Sequence, residues 1–199
     1  MSRLNKFELS RAQRIEDAIY QRRGCKNPTT LATNIMLGFI AFVFVMLIVL
    51  FGYVPVSGTS MLPTIKEKGE AVIVFKYATV ERGDIVVIDN SDLSLHNTDK
   101  LLIKRVVAVA GDTVTYRGDA NGKLVLKVNG KVVDEPYVYE DLYANDVDFL
   151  PDRVQSTELT IPDGCVYVMG DNRLVSHDSR NFGAIKIDRL VGEAIIIIR

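Results

Sequence analysis

The sequence predicts a mainly β domain behind a single N-terminal membrane-spanning helix. Two observations carry that prediction. Residues 35–56 are almost entirely apolar, and no charged side chain occurs from Asn27 to Ile65. Beyond residue 60 the apolar residues fall in short β-branched runs separated by Gly-Asp and Asn-Gly turns, with no long 3.6-residue period. At 199 residues the chain has room for one span and one core of ordinary size.

Taken in order, residues 1–30 carry seven Lys/Arg (Arg3, Lys6, Arg11, Arg14, Arg22, Arg23, Lys26) against three acids, within a chain of net charge -1. A basic arm directly before an apolar stretch is a cytoplasmic anchor rather than a nucleic-acid site. The span is expected over residues 31–56, because roughly 20 helical residues at about 1.5 Å each cross a hydrocarbon core of about 30 Å. It is longer than the apolar core of a cleavable leader and lacks a small-residue cleavage site after it. Gly52 and Pro55 mark the change to extended chain. The positive-inside bias then places the N-terminus in the cytoplasm and residues 57–199 outside, on a single-pass protein of the cell membrane with the lipid bilayer as a partner. Cys25 and Cys165 would lie on opposite sides of the membrane, so both read as free thiols, without metal-ligand spacing.

Candidate strands are Ala71–Lys76, Ile85–Asp89, Leu101–Ala110 and Thr113–Arg117, each next to a glycine turn. Asn129-Gly130 between Leu124–Val128 and Lys131–Val133 signals a two-residue hairpin, whose central positions both need positive φ. Leu159–Ile161, Cys165–Met169 and Val191–Ile198 complete the set, the isoleucine run near the C-terminus being expected as a buried strand. Residues 118–160 read as hairpin and insertion, of which 134–158, acidic and tyrosine-rich, read as a solvated connection.

Three segments hold chemistry. Ser60 follows Gly58-Thr59 and precedes Met61-Leu62-Pro63, where a sharp turn sets a backbone N–H beside a hydroxyl, as an oxyanion hole requires. Lys104 lies in Leu102-Ile103-Lys104-Arg105-Val106-Val107; strand alternation puts it on the face of Leu102, Val106 and Ala108, where burial favours the neutral amine. Arg105 points to the opposite face and stays charged. A serine hydroxyl needs an adjacent base, and a desolvated lysine can serve. The third segment, Gly170-Asp171-Asn172-Arg173 through Ser176-His177-Asp178-Ser179-Arg180, holds hydroxyls, carboxylates and guanidiniums that brace such a site. Ser176, His177 and Asp178 are adjacent in sequence, which argues against a triad of separate elements. His96 sits in a polar loop, and two isolated histidines make no zinc site.

In this order and behind a membrane anchor, the three segments resemble those of bacterial type I signal peptidases over roughly residues 35–199. Gly58–Thr64 is similar to the nucleophile motif, Lys104–Asp112 to the general-base motif, and Gly170–Arg173 with Ser176–Arg180 to the third. The resemblance implies a signal-peptidase-like β domain with Ser60 as nucleophile, Lys104 as base and Ser176 orienting the lysine amine. Arg105, Asp171, Asp178 and Arg180 would brace the site, with no metal or cofactor. Its substrates would be the signal peptides of secreted preproteins, cut after Ala-x-Ala near the export translocon. The substrate is expected as a β-strand between Val54–Gly58 and Leu101–Lys104, with Val54, Val56, Gly58, Leu102 and Ile103 in contact. The chain has Gly58 where some members carry a second oxyanion hydroxyl, and Ala108-Val109-Ala110-Gly111-Asp112 where Gly-Leu-Pro-Gly-Asp is commoner. A lysine base, not histidine, separates it from the endoplasmic-reticulum type. Two rival readings are a soluble self-cleaving repressor, which would carry a DNA-binding domain, and a catalytically inert tethered β domain, which only mutation separates.

Overall fold

A computed structural model describes residues 11, 13–19, 28–66, 69–91, 100–118, 123–140 and 158–199. Cys25, His96 and residues 141–157 lie outside them. Two compact units are present, Met1–Val49 and Leu50–Arg199.

The apolar run forms a helix, Pro28–Leu50, and among the described residues nothing is packed over Ile35, Phe39 and Phe42, which are 64, 66 and 65% exposed. Its 23 residues reach about 34 Å, enough to cross a bilayer core. The end of the apolar run is not helical. Residues Phe51–Pro55 form strand β1, because here the backbone gains a partner, β2 (Ala71–Phe75), in antiparallel register with Val54 opposite Val72.

The remaining strands are β3 (Ile85–Asp89), β4 (Leu101–Val109), β5 (Thr113–Gly118), β6 (Leu124–Val128), β7 (Lys131–Val132), β8 (Leu159–Thr160), β9 (Cys165–Met169), β10 (Ile185–Lys186) and β11 (Leu190–Ile198). They make a seven-stranded sheet in the order β1-β2-β11-β3-β4-β9-β10 and a four-stranded sheet in the order β7-β6-β5-β8. The Asn129-Gly130 turn has φ of 52° and 75°, the left-handed pair that this hairpin needs.

Strand β4 governs the site because its two halves have different neighbours. Leu101–Arg105 pairs with β3, while Arg105–Val109 pairs with β9. Toward β9, therefore, Leu101–Lys104 has no strand beside it among the described residues. β1 is likewise an edge strand. The register on β9 also slips between Val106 and Ala108, which oppose the adjacent residues Val168 and Tyr167. This bulge sends Ala108 to the other face, correcting the alternation expected from sequence: Val106 packs with Val86, Ile88 and Leu102, whereas Ala108 packs with Val114, Tyr116 and Tyr167.

The C-terminal isoleucines also differ from expectation. β11 sits in mid-sheet, bonded to β2 and β3, yet Ile195, Ile196 and Ile198 are 43, 54 and 41% exposed. β3 pairs only with Leu190–Glu193, so the isoleucines are bonded to β2 alone; Ile197 turns to the core, and the others face no covering layer among the described residues.

Candidate active site

The loop after β1 is pinned from below. Met61 and Ile65 are fully buried among Val54, Val72, Val74, Val87 and Ile103, each contributing about 1.5–3 kcal/mol of apolar burial. The Ile65 N–H donates to the Met61 carbonyl (2.9 Å) and the Leu62 N–H to that of Thr59 (3.2 Å). Ser60 is thereby left half-buried at the surface. Lys104, opposite Val86 on β4, is only 3% exposed, and its Nζ lies 2.7 Å from Ser60 Oγ. The two residues, 44 apart in sequence, thus meet within hydrogen-bonding distance.

The Gly170–Asn172 loop after β9 grips the serine loop from the other side. The Asn172 N–H donates to the Ser60 carbonyl (3.0 Å), and its Nδ2 to that of Thr59 (3.2 Å). Gly170 separates Ser60 from Ser176. A Cβ there would stand 2.3 Å from Ser176 Oγ and 2.5 Å from the Ser60 carbonyl oxygen, so only glycine permits this approach. Ser176 is buried; among the described residues its Oγ has no well-formed hydrogen bond, and it lies beside the Asp178 carboxylate, whose pKa it helps to lower.

A groove of about 390 Å³ runs past the Ser60–Lys104 pair, walled by Val54–Met61, Lys100–Lys104, Val175 and His177. All five residues expected to contact a substrate, Val54, Val56, Gly58, Leu102 and Ile103, line it. His177 is exposed on its wall, with its ring centroid 5.7 Å from that of Phe182. Cys165, at the start of β9, is a half-buried free thiol.

Residues 30–199 match the family described as Signal peptidase, peptidase S26. The chain belongs to that family. It is 36% identical over 182 residues to signal peptidase I of Bacillus caldolyticus, covering 87% of this chain and 89% of that protein. It is 37% identical over 168 residues to signal peptidase IB of Staphylococcus aureus, covering 77% and 82%. A crystal structure of a signal peptidase I from Enterococcus faecalis V583 aligns with a TM-score of 0.42 at 29% identity, over 58% of this chain and 97% of that one. On its family and relatives the protein is a type I signal peptidase.

Two ion pairs flank the groove of the signal peptidase. Arg105 binds Asp171 through both ends of its fork, Nε to Oδ1 at 2.8 Å and Nη2 to Oδ2 at 2.6 Å, and donates from Nη1 to the Gly83 carbonyl. Thr64 Oγ1 donates to the same carboxylate, joining the serine loop to it. Arg180 binds Asp178 (Nε to Oδ1, 2.8 Å; Nη2 to Oδ2, 2.9 Å) and donates to the carbonyls of Arg173 and Ser176. Asp178 also caps the helix Ser179–Phe182 and accepts from the Gly170 N–H. Burial would raise the Asp178 carboxyl, but the Arg180 guanidinium and the Gly170 N–H outweigh it and hold its pKa below the ordinary 3.8.

A carboxyl depressed in the folded state lends stability that is present above its unfolded pKa and is lost as pH falls through the folded value. The melting temperature is therefore expected to fall steeply below about pH 4. Asp178→Asn should lower stability near neutrality by about 3–5 kcal/mol, since Arg180 is left buried and unpaired, and should flatten that acid decline. Calorimetry of both proteins from pH 3 to 8 checks this; parallel curves would refute it.

Several supporting residues escaped the sequence. Gly170 and Thr64 stand there only as members of the third and first motifs, with no role of their own. Residues 134–140, expected to be part of a solvated connection, instead fold onto the second and third segments: Glu135 binds Arg173 and Tyr137 covers Arg105. No periodicity marks such a segment, because its contacts are made with residues far along the chain.

Proposed function

We propose that this enzyme removes N-terminal signal peptides from exported preproteins, with Ser60 as nucleophile and Lys104 as general base. The observation that carries the reading is the 2.7 Å approach of Lys104 Nζ to Ser60 Oγ by a lysine that is only 3% exposed. Burial disfavours the ammonium, so the amine can accept the serine proton.

Ser60 Oγ attacks the scissile carbonyl as its proton passes to Lys104. The oxyanion is held by the Ser60 backbone N–H, since Gly58 offers no hydroxyl. Lys104 then returns the proton to the leaving amine, the mature protein departs, and the signal peptide stays as an ester on Ser60. Water, deprotonated by Lys104, hydrolyses that ester. Ser176 orients the amine; its buried hydroxyl lacks a well-formed hydrogen bond among the described residues, and a bond to the lysine would supply one. The Arg105–Asp171 and Arg180–Asp178 pairs keep both loops in register.

The first half of β4, which pairs with β3 but lies ahead of the β9 pairing, and the edge strand β1 before Ser60 support binding of the preprotein as an added strand, side chains alternating into the groove. Shallow apolar walls favour alanine at the first and third positions before the cut. Replacing alanine by leucine at the first position should lower kcat/KM by at least about 10²-fold, because overfilling a small pocket displaces the scissile carbonyl. Equal turnover of both substrates would sink the pocket assignment. The exposed apolar helix supports a membrane anchor, with the basic arm on the cytoplasmic side and the β domain outside, near the export translocon.

The test is cleavage of a secretory preprotein after its Ala-x-Ala site by the detergent-solubilised chain, comparing wild type with Ser60→Ala. Product from wild type alone is expected. Cleavage by Ser60→Ala would reassign the nucleophile, and an inactive wild type would favour a tethered binding domain.

A further inference from the structure

The segment that follows the β6–β7 hairpin has no part in the chemistry above, yet it reaches both halves of the site. Glu135 accepts from both terminal nitrogens of Arg173, at 3.0 and 2.6 Å. Arg173 in turn donates from Nε to the carbonyl of Gly170 (3.0 Å), the glycine on which Ser60 and Ser176 close. The Arg173 side chain is 1% exposed and that of Glu135 12%, so the pair works with little solvent screening. Two residues on, the Tyr137 ring lies 4.0 Å from Arg105 Cζ, while its hydroxyl donates to Glu135 Oε1 (3.1 Å). The Tyr139 N–H then donates to the Asp171 carbonyl (3.0 Å). Five residues thus hold the neighbour of the lysine on β4, the cation that fixes Gly170, and the backbone of the loop that grips Ser60.

We infer that Glu135–Tyr139 is a positioning strap, which sets the Ser60–Lys104 distance by bracing Arg105 and the Gly170–Arg173 loop together. Glu135 and Tyr137 are positioning residues that touch no reacting atom. The inference rests on the Ser60/Lys104 reading. Loosening the strap lets the Gly170 loop drift from Ser60 and admits water to Lys104. Drift lowers turnover without weakening the strand-like binding of substrate along β1 and β4. Hydration stabilises the lysine ammonium, so the acidic limb of the rate profile moves to higher pH. In Tyr137→Leu the charged groups around that lysine, Arg105, Asp171, Asp178, Arg180 and the Arg173–Glu135 pair, all keep their charges, so there the limb reports the amine's own surroundings; Glu135→Gln removes one of them.

The experiment measures kcat, KM and the pH profile of preprotein cleavage for the full chain in detergent, with Glu135→Gln, Tyr137→Leu and Tyr137→Phe, and with Ser60→Ala in parallel. Glu135→Gln and Tyr137→Leu are expected to lower kcat about 10- to 100-fold with KM within about twofold, and Tyr137→Leu, which leaves every charge in place, to shift the acidic limb upward. Tyr137→Phe, which keeps a ring over Arg105, should recover most of the rate lost in Tyr137→Leu. Should Glu135→Gln fail to fold, Tyr137→Leu, which removes no charge, carries the test. A kcat within about threefold of wild type in both, a loss confined to KM, or, in Tyr137→Leu, a lowered kcat with an unmoved limb would overturn the strap. Cleavage by Ser60→Ala would instead overturn the dyad itself, an outcome that the strap variants cannot produce.

Discussion

Lys104→Ala is expected to leave preprotein cleavage at background, a loss of at least about 10³-fold in kcat, as follows when one member of a nucleophile–base pair is removed. Lys104→Arg should be no better. It keeps the charge and most of the length, but a guanidinium stays protonated at any working pH and cannot take a proton. Length and charge are thus held near constant while basicity is withdrawn, so the arginine variant isolates the property that matters. Wild-type activity should fall on acidification, since the working form is the neutral amine and protonation removes it. The measurement is single-turnover cleavage of one preprotein by wild type and both variants across pH. Substantial cleavage by Lys104→Arg, or a wild-type rate indifferent to acid, would rule out the lysine base whatever its distance from Ser60.

Gly170→Ala should be nearly as damaging, although it touches no titrating group. The added methyl would stand 2.5 Å from the Ser60 carbonyl oxygen and 2.3–2.6 Å from the Ser176 side chain, closer than any unstrained contact. Neither neighbour can yield cheaply. The Ser60 carbonyl is tied to the Asn172 N–H, and Ser176 belongs to the loop whose carbonyls bind Arg180. Relief comes by moving the serine loop, and a misplacement on the order of 1 Å costs about 10²-fold in rate. Loss of kcat with near-normal KM and a cooperative melt is the expected signature. An active Gly170→Ala would mean that the two loops separate more freely than their packing implies.

The same two residues mark how far the sequence could be read. Lys104 was legible because a lone lysine in an apolar β-strand and a serine in a Gly-Thr-Ser-Met-Leu-Pro turn are unusual pairings of residue type with local pattern. Gly170 was not. Its constraint comes from Ser60, which lies 110 positions earlier in the numbering, and a glycine required by a distant neighbour looks like any turn glycine. Glu135 and Tyr137 failed to stand out for the same reason. An acidic, tyrosine-bearing stretch without a period has the composition of a solvated loop, and only the placing of Arg173 and Arg105 beneath it makes it structural.

By itself the sequence determined what depends on local pattern: a charge-free apolar run long enough to cross a bilayer, short β-branched strands between glycine turns, the Asn129-Gly130 hairpin, and a family membership carried by three short motifs. The tertiary structure decided what depends on where separate strands stop. β9 covers only the second half of β4, which leaves Leu101–Lys104 open along the groove. The bulge at Val106 and Ala108 reverses an alternation that periodicity predicted, and Ile195, Ile196 and Ile198 stay exposed because β3 ends its pairing at Glu193 while Ile197 alone turns to the core. Local pattern follows from the preferences of neighbouring residues, whereas register, strand overlap and close approach follow from packing between segments far apart in the chain. The 2.7 Å contact between Ser60 and Lys104 belongs to the second kind: two motifs named its partners, and only the packing of β4 against the Gly170 loop brought them together.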